Sequence, residues 1–129
     1  MKSFCKLLLI TALLGASLTA CQKDDEVVNP MAGTWEGLWG FDQDVPSNYE
    51  RWEFKNNGDL LAYGYSGDLY AKGGFEVADS VFTAEYTSEV SENKYRFKGT
   101  YDATAQTISG TWGLSPSYTN RGLFEMTKQ

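Results

Sequence analysis

The sequence predicts an all-β domain, an eight-stranded antiparallel up-and-down β-barrel, with a two-sheet β-sandwich as the alternative. Three observations predict it. From Gly33 to Lys128 large apolar side chains alternate with polar ones at period two, as half-buried strands require. The runs are separated by clusters rich in Gly, Asn, Asp, Pro and Ser, the residues that turn a chain. No stretch beyond residue 20 carries a 3.6-residue period. A meander with one apolar face must pack on a second sheet or close on itself, and closure alone removes both edges.

The elements follow in order. Gly33–Phe41 turns Trp35, Trp39 and Phe41 to one face. Tyr49–Lys55 sets Trp52 and Phe54 inward against Arg51, Glu53 and Lys55. Asn56-Asn57-Gly58-Asp59 is a hairpin turn, because Asn-Gly accepts the positive φ that tight hairpins need. Leu60–Tyr65 groups Leu61, Tyr63 and Tyr65 as inward, and Leu69–Val77 sets Leu69, Ala71, Gly73, Phe75 and Val77 against Tyr70, Lys72 and Glu76. Ser80–Ser88 carries Phe82, Ala84 and Tyr86 inward. Lys94–Tyr101 alternates most cleanly, with Tyr95, Phe97, Gly99 and Tyr101 against Lys94, Arg96, Lys98 and Thr100. Thr107–Leu114 gathers Ile108, Gly110, Trp112 and Leu114, and Gly122–Lys128 closes with Phe124 and Met126. The triplets Gly33-Thr34-Trp35, Gly99-Thr100-Tyr101 and Gly110-Thr111-Trp112 read as barrel corners, where a missing side chain lets strands coil tightly. The outward faces are charged, the reverse of a membrane barrel.

Residues 1–20 stand apart as a cleavable signal peptide. Lys2 and Lys6 precede an apolar run, Leu7-Leu8-Leu9-Ile10 through Leu14, that is too short to span a bilayer as a permanent helix. Leu18-Thr19-Ala20-Cys21 resembles the lipobox of bacterial lipoproteins. The resemblance implies cleavage before Cys21 and lipid attachment to its sulfur. Each buried methylene contributes about 0.8 kcal/mol, and stable anchoring takes more than one acyl chain; a diacylglyceryl group with an added N-acyl chain satisfies that. Gln22, Lys23, Asp24, Asp25 and Glu26 follow directly. Position 22 is not aspartate, so the inner-membrane retention signal of many lipoproteins is absent. The run is similar to the export signal of Bacteroidetes-type surface lipoproteins, which implies outer-membrane anchoring at the cell surface. The alternatives are a solvated acidic tether and a periplasm-facing domain. Residues 21–32 then form the lipidated acidic tether and residues 33–129 the barrel domain, with Pro30 near its edge. Losing Cys5 with the signal leaves no cysteine for a disulfide, so the core alone must hold the fold.

Composition narrows the chemistry. The chain has 129 residues, 17 acidic against 11 basic, no histidine, and a formal charge of −6. That balance argues against nucleic acid, which wants a clustered basic face. Without histidine, most zinc sites, the Ser-His-Asp and Cys-His arrangements and the commonest general base are gone. Asp42, Asp44, Asp59 and Asp68 are turn formers by position rather than a spaced catalytic pair. Asp42-Gln43-Asp44 lacks the ligand number and glycine of a calcium loop. No enzyme activity, catalytic residue, metal or cofactor is expected.

Gly33-x-Trp35, heading an eight-strand meander, resembles the lipocalin and fatty-acid-binding (calycin) superfamily. With no disulfide and no second family motif, small bacterial lipocalin-like lipoproteins are the nearer match. The resemblance implies that Gly33 and Trp35 plug the closed end, with a basic residue near the end of the last strand, here Lys128, across the tryptophan ring. It also implies capture of a small apolar or amphipathic ligand. The inward residues are bulky enough that a shallow pocket at one mouth is expected, rather than a capacious cavity. By strand direction the candidates are Trp39, Phe41, Tyr65, Leu69 and Leu114, beneath the Asp42–Asn48 and Ser115–Asn120 loops. The competing expectation is a filled core on a protein-interaction module: an adhesin, a protease-inhibitor barrel or an accessory subunit of an envelope complex. Outward rings such as Tyr70 would then belong to a contact patch.

Overall fold

Period-two patterning and short turns produce one closed sheet. The computed structural model describes residues 28–129; the expected signal peptide, Cys21 and the Gln22–Glu26 run lie outside the described residues. The strands are β1 (Gly33–Phe41), β2 (Asn48–Phe54), β3 (Asp59–Tyr63), β4 (Leu69–Ala78), β5 (Val81–Ser88), β6 (Lys94–Asp102), β7 (Thr107–Leu114) and β8 (Gly122–Lys128). Each pairs antiparallel with its successor, and β8 returns to β1, closing the barrel in the order β1 to β8. The two-sheet alternative is thereby set aside. Closure gives every strand two partners, so none of the described strands leaves an edge to recruit another chain.

Two faces depart from the sequence pattern, each for a local reason. In β3 the inward residues are Leu60 and Ala62, not Leu61, Tyr63 and Tyr65. The turn at Lys55–Gly58, closed by Lys55 N–H to Asp59 O at 2.8 Å, pairs Phe54 with Leu60 and Trp52 with Ala62. Directly paired residues share a face, and a slip of one position inverts a strand. Tyr63 therefore lies outside, with the Arg51 guanidinium 4.5 Å from its ring centroid. In β4, Ala62 pairs with Ala71 and Tyr63 with Leu69, leaving Tyr70 as the extra residue of a β-bulge. A bulge re-aims side chains, and this one brings Tyr70 to the interior, although strict alternation puts it outside.

The lower half of the barrel is filled with rings. Trp52, fully buried, lies with its ring centroid 4.9 Å from that of Phe97 and 5.6 Å from that of Phe124, and stacks on Phe82 at 6.1 Å. Trp35 packs edgewise on Phe54 and Tyr101. Close strand approach depends on paired glycines. Gly99 and Gly110 face each other across β6 and β7. A β-carbon on Gly99 would collide with Ser109 O, and one on Gly110 with Lys98 O. Outside, Arg96 Nε donates to Glu85 at 2.7 Å across β5 and β6.

Candidate functional site

Strand direction sorts the barrel into two ends. At the closed end Trp35 is 0% exposed, and its indole N–H donates to Met31 O at 2.8 Å. Met31 itself is 1% exposed, so this part of the stretch read as tether packs into the core. Lys128 pairs with Trp35 across β1 and β8, and its ammonium donates to Pro30 O at 3.1 Å. Gly33 has φ +132°, a backbone region that favours glycine. Its hypothetical β-carbon would sit 3.3 Å from Lys128 Cε. Gly33, Trp35 and Lys128 thus lie near one another at this end, with the Lys128 ammonium on Pro30 O; the cation–ring contacts among the described residues are those of Arg51 and Arg96.

At the opposite end, where β1, β3, β5 and β7 finish, the barrel holds an open-mouthed cavity of about 520 Å³. That is within the usual range for small-molecule sites. From β1 come Trp39 and Phe41; from β7, Trp112 and Leu114. β5 and β6 supply Tyr86, Tyr95 and Phe97, and the bulged β4 supplies Tyr70. Over the rim lie Val90, Ser91 and Asn93 of the β5–β6 loop, with Arg121 before β8. That loop is held by Ser88 Oγ, which accepts from Val90 and Ser91 N–H at 3.2 Å each. The rings touch in sequence around the wall: Tyr70–Tyr86 at 5.9 Å between centroids, Tyr86–Tyr95 at 5.6 Å, Tyr95–Trp112 at 6.0 Å, and Trp112–Trp39 at 5.2 Å. The Trp112 indole is fixed by donating to Gly40 O at 2.9 Å.

One charged side chain enters this apolar wall. Glu50, on β2, is only 2% exposed and is among the residues that line the cavity. Its Oε1 accepts from the Tyr86 hydroxyl at 2.7 Å, and Tyr86 is in turn 2.9 Å from the Tyr70 hydroxyl. When Glu50 is ionised it only accepts, so the Tyr86 hydroxyl donates to it and the Tyr70 hydroxyl donates to Tyr86. Burial pushes the Glu50 carboxyl from 4.5 up to about 7, while the Tyr86 hydroxyl and the Trp52 indole pull it back. The Trp52 indole N–H is near enough to favour the charge, yet it makes no hydrogen bond of ordinary geometry among the described residues. Burial, and then the Glu50 charge, raise the Tyr86 phenol well above 10.0. Ion pairs among the described residues join Lys55 to Glu53, Lys72 to Glu89 and Arg96 to Glu85, and leave Glu50 without a cation.

No family model, no curated protein and no solved structure matches this chain. The site is therefore read from its own geometry. Trp39, Phe41 and Leu114 lie together on the cavity wall; Tyr65 and Leu69 do not. Tyr65 is 91% exposed in the β3–β4 turn, edge-on to Tyr49 at 6.2 Å. Leu69 gives up the inward place to the bulged Tyr70. Glu50, Tyr70, Tyr86 and Tyr95 complete the site beyond the residues singled out from sequence. Glu50 shares its parity with Trp52 and Phe54, so an acidic residue in the inward register of β2 was the available signal. Among the described residues no group of three or more metal-ligating side chains comes together.

Proposed function

We propose that this chain is a surface-anchored lipoprotein whose lipocalin-like barrel binds a small apolar or amphipathic ligand at its open mouth, without catalysis. The supporting observation is the half-filled interior: a ring-packed lower half beneath a cavity of about 520 Å³ that carries a polar chain, Glu50–Tyr86–Tyr70, in an aromatic wall. A barrel serving only as a filled core gains nothing from burying a carboxylate there, because removing charge from water costs free energy. Apolar surface would supply affinity, and the few polar groups would set orientation. The lipobox at Cys21 and the acidic run after it support anchoring at the outer membrane and display at the surface.

Titration of intrinsic tryptophan fluorescence with fatty acids, sterols and haem tests binding. Saturable quenching is expected, weakened by Trp39→Ala and left as it was by Tyr65→Ala, which lies outside the cavity. A flat response to every class, organic cations included, would overturn the binding reading. For the address, Cys21→Ala should abolish incorporation of labelled fatty acid, and external protease should remove the domain from intact cells. Protection until the envelope is opened would replace surface display with a periplasm-facing domain. The protein-interaction reading has one observation in its favour: Phe41, Val45, Tyr65 and Val90 are exposed apolar residues in or beside the open-end loops. A protein recovered by cross-linking through those loops, with no small-molecule response, would favour it.

A further inference from the structure

We propose that the ligand is an organic cation, a protonated amine on a small aromatic or aliphatic body, whose ammonium is held by the Glu50 carboxylate within the arc of rings from Tyr70 to Trp39. This rests on the binding reading above and names the chemical class.

The Tyr86 hydroxyl engages Glu50 Oε1, and the Trp52 indole N–H, the other donor that favours the charge, makes no hydrogen bond of ordinary geometry to it. The proton of Tyr86 is committed to Glu50 and that of Tyr70 to Tyr86, so the chain ends on an acceptor that a ligand N–H can fill. Neighbouring basic groups leave the carboxylate uncompensated. Arg51 is turned outward over Tyr63, and Arg121 is exposed at the rim, where water screens it. Around the carboxylate, Tyr86, Tyr95, Trp112 and Trp39 form a continuous set of ring contacts. Tyrosine and tryptophan rings attract cations most strongly where water is excluded. One ammonium can therefore draw on a carboxylate and on ring faces together. A fatty acid entering headfirst would bring its carboxylate against Glu50.

The test is a matched series on one body: phenylbutylammonium, phenylbutanol and phenylbutyrate, titrated calorimetrically into the full-length protein near neutral pH. The amine should bind at least about tenfold more tightly than the alcohol, about 1.4 kcal/mol, and the carboxylate most weakly. In Glu50→Gln the gap between amine and alcohol should close. The wild-type ranking decides the matter even if that variant folds poorly. An alcohol as tight as the amine would overturn the cation while leaving small-ligand binding in place. A carboxylate as tight or tighter would also overturn it and shift recognition to Arg121. Silence of all three, together with silence of the fatty acids, sterols and haem, would remove the binding reading as well.

Discussion

Replacing Glu50 by glutamine isolates the energetic consequence of one buried carboxyl. The unfolded chain holds this group near 4.5 and the folded chain near 7. Between those values the folded state keeps a proton that the unfolded state has lost. Stability therefore falls as pH rises through this window, and below it both states are protonated. At about 1.4 kcal/mol per pH unit, the elevation amounts to roughly 3 kcal/mol of lost stability on the alkaline side. The amide keeps the shape of the side chain and an oxygen to accept from Tyr86, but never ionises. Denaturant titrations of both proteins from about pH 4 to pH 8 give the answer as a difference, in which the other carboxyls cancel. Glu50→Gln should match the wild type at the acid end and exceed it by about 3 kcal/mol at the alkaline end. In thermal melts that is on the order of 10 °C for a domain of this size. A difference that stays constant with pH would mean that the carboxyl is solvated, and the reasoning about the cavity wall would fall with it.

Three further outcomes follow from the packing. Trp35→Ala should cost about 3–5 kcal/mol, the usual range for deleting a buried large ring; an unchanged melting temperature would show that the ring is not the plug of the closed end. In β3, Leu60→Ala should cost about 2–5 kcal/mol while Leu61→Ala costs less than about 1 kcal/mol, and equilibrium unfolding giving the reverse order would restore the face inferred from alternation alone. Gly110→Ala should destabilise by at least about 1–3 kcal/mol through overpacking, because the added carbon meets the β6 backbone. Gly64→Ala, whose new carbon would touch nothing closer than the Tyr70 ring at 3.8 Å, should unfold within about 0.5 kcal/mol of the wild type.

Alternation made most of the barrel legible. β1, β7 and β8 begin and end where the sequence pattern does, and β2 and β4 to β6 differ by a residue at one or both ends. The reason is local: side chains on a strand point alternately to two environments, so solvent and core write themselves into every second position. The turn at Asn57-Gly58 was legible for the same kind of reason, since few residues accept its backbone. Its register was not. Whether Leu60 or Leu61 faces inward depends on which residue lies opposite Phe54, a relation between two strands that neither states alone.

The candidate site divides along the same line. Trp39, Phe41 and Leu114 could be placed at the mouth from strand direction. Tyr70 could not, because a bulge depends on the relative lengths of paired strands. Nor could the meeting of Glu50 with Tyr86, which are 36 positions apart and brought to 2.7 Å only when the cylinder closes. By itself the sequence determined the strands, most inward faces and the absence of histidine chemistry, because these are properties of one residue and its neighbours. The tertiary structure alone decided closure rather than layering, how far the interior fills, and where a lone carboxylate meets an aromatic wall. Those depend on volumes and distances summed across strands remote in the chain.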